Sequence, residues 1–107
     1  MKNKERIDYI EEKLKTKFKT VDLVDTRYLN EQSSSFYAKY SIGEYSIIFV
    51  KDRGFLEVEL LKNEKYTLLE NLNCDLINLK FNEENINKAI QFLSITLSSR
   101  DKSKKEE

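Results

Sequence analysis

Glu57 and Glu59 are the residues of this sequence best placed to share a chemical task. They stand two apart in an alternating stretch, so as part of a strand both carboxylates point to one face, about 6.5–7 Å apart. Such a pair can serve a two-carboxylate hydrolysis or hold a divalent cation, provided that further oxygen ligands converge on it. The residues expected beside it across neighbouring strands, Ser46, Ile48 and Val50, offer few oxygens. The pair therefore reads as polar sheet surface or partner contact, and no metal site and no catalytic residue is assigned. Histidine is absent, which removes the commonest general base and the commonest metal ligand, and with them any Ser-His or Cys-His nucleophile. The one cysteine, Cys74, forms neither an internal disulfide nor a zinc site and reads as a small buried apolar residue. Two isolated glycines cannot build a glycine-rich phosphate loop. No cofactor is expected, and the chain is not read as an enzyme.

The other conspicuous group is Asp52-Arg53-Gly54 between two alternating runs. A guanidinium at a hairpin tip can reach a partner's carboxylate or phosphate with its bidentate fork. The competing reading, turn chemistry with Asp capping and Gly taking positive φ, is the weightier one. Lys13, Lys15, Lys17 and Lys19 invite a nucleic-acid reading, but no glycine or aromatic interleaving accompanies them, so a solvated helix face is preferred.

The elements that must position these side chains follow from periodicity. Ile7, Ile10, Leu14 and Phe18 form one stripe of a helix from about Lys4 to Lys19, with Asn3 as N-cap. Val21 to Leu29 alternates, with a change of side between Leu23 and Val24 that signals a bulge. A polar loop, residues 30–35, follows. Gly43-Glu44 suits a two-residue type II′ hairpin, which sets Ile42 opposite Tyr45, Tyr40 opposite Ile47 and Ala38 opposite Phe49. A second hairpin at Arg53-Gly54 sets Lys51 opposite Leu56, Phe49 opposite Val58 and Ile47 opposite Leu60. One sheet face is then continuously apolar, with Tyr40 and Tyr45 in it. The other carries Tyr37, Lys39, Ser41, Ser46, Ile48, Val50, Phe55, Glu57, Glu59 and Leu61.

Residues 66–72 read as a short strand running into a helical turn, without a periodicity that separates the two, and 75–81 is equally ambiguous. Asn82 is a good N-cap, and Ile86, Ala89, Ile90, Leu93 and Leu97 make the stripe of a last helix that should end near Leu97. Residues 98–107 hold no apolar side chain and read as a disordered charged tail after a single domain, residues 1–97. Two striped helices and one apolar sheet face are satisfied together by an α+β two-layer sandwich, a four-stranded antiparallel meander with both helices on one face.

At 107 residues the chain has room for one domain, burying roughly 60–65% of its unfolded surface. Nineteen basic and nineteen acidic residues give no net attraction to nucleic acid or to an anionic membrane, so neither is expected as a partner. No apolar run is long enough to span a bilayer or to serve as a signal peptide, and with the lone thiol this fits the cytoplasm.

A mixed apolar and acidic sheet face suits binding another protein, with Tyr37, Lys39, Ile48, Val50, Arg53, Phe55, Glu57 and Glu59 as the partner-binding residues. The run Tyr45 to Leu60, YSIIFVKDRGFLEVEL, followed by Tyr66 to Leu72, YTLLENL, resembles the central hairpin and its continuation in small bacterial immunity proteins that neutralise polymorphic toxins. The resemblance implies a cytoplasmic inhibitor that occludes a toxin domain without catalysis of its own. The balanced charge departs from the acidic totals of several members that block nucleases, which points away from a nuclease target. The competing reading is a secretion-chaperone-like homodimer holding a secreted client segment along a sheet edge or helix groove. Stoichiometry separates the two, since the first binds one folded toxin domain and the second self-associates.

Overall fold

Two tight turns organise the sheet. The computed structural model describes residues 2–30, 33–62, 65–72, 76 and 79–106. Strand β2 (Phe36–Ile42) turns through Gly43-Glu44 into β3 (Tyr45–Asp52), which turns through Arg53-Gly54 into β4 (Phe55–Lys62). At the first turn only Gly43 has positive φ, 59°, as a type II′ turn requires. At the second, Arg53 and Gly54 are both positive, 52° and 86°, so this is a type I′ turn with a side chain in the left-handed region. Both registers match the sequence expectation: Tyr40 lies opposite Ile47, Ala38 opposite Phe49, and Phe49 opposite Val58.

Strand β1 (Asp22–Arg27) pairs with β2, and its register shifts between Leu23 and Asp25, the expected bulge. Val24 is the extra residue, and Leu23 and Thr26 consequently face the same way, opposite Tyr40 and Ala38. The sheet is wider than the expected four strands. The ambiguous segment after β4 resolves into both alternatives, a strand β5 (Lys65–Leu68) and a one-turn helix α2 (Leu69–Leu72). β5 and a two-residue strand β6 (Leu79–Lys80) share the outer edge of β4, pairing with its far and near ends. Four strands would leave that edge of β4 unpaired, and two short segments close it. The order is β1-β2-β3-β4-β5, all neighbours antiparallel.

Helices α1 (Asn3–Lys17) and α3 (Glu83–Glu106) cover one face. Ile7, Ile10 and Leu14 from the first, and Ile86, Ala89, Ile90, Leu93 and Leu97 from the second, join Ala38, Tyr40, Ile47, Phe49, Val58 and Leu60 in one core. The chain is therefore an α+β domain with an open antiparallel sheet. Leu76 is buried in the same core, whereas Cys74 lies outside the described residues.

Asn82 caps α3 as expected, its side-chain oxygen accepting from the Asn85 backbone N–H at 2.8 Å. The helix does not stop near Leu97. It runs to Glu106, because the Lys-, Arg- and Glu-rich segment without Gly or Pro sustains helical backbone after the buried stripe has ended. Nor is Asn3 the cap of α1: Lys2 holds that position without a side-chain cap bond. Asn3 is helical and fully buried, and its amide donates to the Asn30 and Ser33 carbonyls at 2.9 and 3.2 Å, tying α1 to the β1–β2 loop. The lysine face of α1 is solvated, with Lys15 paired to Glu11 at 3.1 Å. No described helix is long and apolar enough to cross a membrane.

Candidate functional site: the open sheet face

Cross-strand register places the side chains of the uncovered face in rows. One row is Asp25, Lys39, Ile48, Glu59 and Leu68, and the next is Arg27, Tyr37, Val50 and Glu57. Beyond them, towards the hairpin tip, Asp52, Phe55 and Lys80 stand in line, with Arg53 in the turn. Towards the other end lie Asp22, Ser41, Ser46, Leu61 and Tyr66. Tyr37, Lys39, Ile48, Val50, Phe55, Glu57 and Glu59 thus share one surface, and Arg53 marks its rim. Sequence reasoning missed Asp25, Arg27, Tyr66, Leu68 and Lys80. Their alternation was visible, but placing them requires knowing that β1, β5 and β6 join the sheet on this register.

Charges of both signs, Asp22, Asp25, Arg27 and Lys39, lie on β1 and β2, the acidic Glu57 and Glu59 lie on β4, and the apolar β3 residues Ile48 and Val50 separate the two groups. Arg27 is held twice, by Asp25 at 3.2 Å and over the Tyr37 ring with its guanidinium carbon 5.2 Å from the centroid. Burial pushes the Tyr37 hydroxyl above its ordinary value; Arg27 opposes the shift, and Tyr66, Asp25 and Glu59 reinforce it. Tyr37 therefore senses β1, β4 and β5 at once, an aromatic centre to the surface.

Exposure sorts the candidates. Phe55 is half exposed at 50% and Tyr66 is exposed at 62%, so both offer apolar area, and Glu57 and Arg53 are exposed beside them. Tyr37, Lys39, Val50 and Glu59 are partly covered. Ile48 is only 1% exposed although it stands outside the helix-packed core cluster, so it forms the floor of the face. Its row neighbours Lys39 and Glu59 are long enough to lay their stems over it.

The carboxylates of Glu57 and Glu59 face Val50 and Ile48 across β3, and Leu68 flanks Glu59 on β5. Among the described residues no cluster of three or more potential ligands is arranged for a metal ion. A groove of about 1030 Å³ opens where the β1–β2 loop meets the ends of β2 and β3, lined among others by Arg27, Leu29, Ser35, Tyr37, Val50 and Lys51. It joins the open face through Arg27, Tyr37 and Val50.

The chain matches no family model, no characterised protein and no solved structure. The reading of its function rests on the surface itself.

Proposed function

We propose that this protein is a binding module, an immunity-type inhibitor that occludes a cognate bacterial toxin domain with its open sheet face and performs no catalysis itself. The observation that carries the reading is a sheet wide enough for five strands with the long helices α1 and α3 packed on one of its faces. The uncovered face combines aromatic and aliphatic area from Tyr37, Val50, Phe55 and Tyr66 with the β4 carboxylates, the composition of a desolvated interface core beside a charged rim. A partner surface presenting Lys or Arg opposite Glu57 and Glu59 complements it.

A chaperone holding a client strand along a sheet edge is the weaker reading. β1 carries a bulge and the charged residues Asp22, Asp25 and Arg27, and β5 is only four residues long. Bulges, charges and short strands are the usual means of blocking strand addition.

The test is affinity capture of the tagged protein from its native cells, run beside the Glu57→Lys/Glu59→Lys double variant. One stoichiometric partner with a toxin-like domain, lost in the variant, is the expected result. Self-association alone, or a partner that the variant retains, defeats the assignment to the open face.

A further inference from the structure

A second feature lies at the end of the domain where the first turn of α1, the ends of β2 and β3, and the segment after β6 meet. The Phe81 backbone N–H donates to the Gly54 carbonyl at 2.8 Å, which fixes that segment to the hairpin tip. Its ring takes the Phe36 ring edge-on, with centroids 5.3 Å apart and planes at 86°. Two cations approach the ring so held: the Arg6 guanidinium carbon lies 5.8 Å from its centroid and the Lys51 ammonium 5.9 Å.

Neither cation is ion-paired among the described residues. Asp52, next to Lys51 in the chain, lies on the opposite sheet face by strand alternation and takes a hydrogen bond from Ser35 at 3.4 Å. Arg6 is held in place by donating to the Asn3 side-chain oxygen at 3.2 Å. The same buried amide holds the Asn30 and Ser33 carbonyls of the loop that walls the groove. One buried side chain thus fixes both a cation and the groove's wall. Lys51 lines that groove together with Ser33, Ser34, Ser35 and Asp52, so solvent reaches it. Burial first, and then the Arg6 charge, hold the Lys51 ammonium below its ordinary value, so the two cations lie near enough to repel.

We propose that Arg6 and Lys51 bind a phosphate-type oxyanion beside the Phe81 ring, at the place where Lys51 also reaches the groove. The anion supplies the counter-charge that the described residues do not, and the guanidinium and ammonium supply charge-assisted donors from α1 and β3. The site is separate from the open-face reading, since neither residue belongs to that surface.

The test is calorimetric titration of the full chain at pH 7 and constant ionic strength with inorganic phosphate and, separately, with phosphoserine. The wild type is expected to show saturable binding, at least about tenfold weaker in Arg6→Gln and in Lys51→Gln and unchanged in Lys15→Gln. Tighter binding of phosphoserine supports the site as a receptor for a phosphorylated organic group, and equal binding supports it as one for free phosphate. Arg6→Gln disturbs the bond to Asn3, so Lys51→Gln, checked for native circular dichroism, is decisive. No saturable heat in the wild type, or equal affinity in folded Lys51→Gln, overturns the proposal.

Discussion

The two faces of the sheet share the same strands and differ in almost every other respect. Along β3, Ile47 and Phe49 point into the helix-covered core, and Ile48 and Val50 point away from it. On the inner face Tyr40 is fully buried, and its hydroxyl donates to the Ile7 carbonyl at 2.8 Å. On the outer face Ile48 is buried in a row between the partly covered Lys39 and Glu59. The difference teaches that burial alone does not define the core. Ile48 is as hidden as Phe49, but it stands outside the core cluster that the helices build with the inner face.

Neighbouring residues on β3 give the sharpest test of that contrast. Phe49→Ala should cost about 3–5 kcal/mol, because it empties a site packed edge-on against Tyr40 at 6.0 Å and leaves a cavity between helices and sheet. Val50→Ala, one residue on and partly exposed, should cost about 1 kcal/mol or less. Equal losses in urea denaturation would mean that the outer face is packed as firmly as the inner one.

Within the inner face the two tyrosines differ in turn. Tyr40→Phe removes the bond to Ile7 and should cost about 1 kcal/mol, whereas Tyr45→Phe should be neutral or slightly stabilising, since the buried Tyr45 hydroxyl has no hydrogen-bond partner among the described residues. Alkaline pH separates them further. Burial pushes the Tyr40 hydroxyl well above its ordinary value of 10.0, and the nearby Glu11 and Asp8 charges add to the shift. The folded state therefore keeps the proton that the unfolded chain releases, and the Tyr40 contribution is complete below pH 10 and declines above it. The alkaline fall in the thermal midpoint should be shallower in Tyr40→Phe than in the wild type.

The turns extend the comparison to the strand ends. Arg53 occupies a left-handed position that Asn tolerates better, so Arg53→Asn should stabilise by about 0.5–1 kcal/mol in the same urea measurement. No gain would show that the arginine is compensated locally. The smallest stability change belongs to the outer face, where Glu57→Lys/Glu59→Lys should shift stability by no more than about 0.5 kcal/mol while abolishing partner capture. A large loss of stability would make those carboxylates structural.

Much of this architecture is legible residue by residue. Gly43 and Gly54 dictate where the chain reverses, alternation then dictates which side chains share a face, and the stripes of α1 and α3 dictate what covers it. Each of these is a property of a few consecutive residues, and Asn82 declares a helix start on the same terms. Tertiary structure decided the rest. The Asn3 amide became a clamp on a loop 27 residues away instead of a cap. Two segments without decisive periodicity became β5 and β6 because β4 had an edge to pair. Ile48 became buried on the face away from the core cluster, and Arg6 and Lys51 met at one ring. None of these has a local signature, because each depends on groups brought together by the closing of the sheet and the docking of helices, and chain-local preference does not encode that distance.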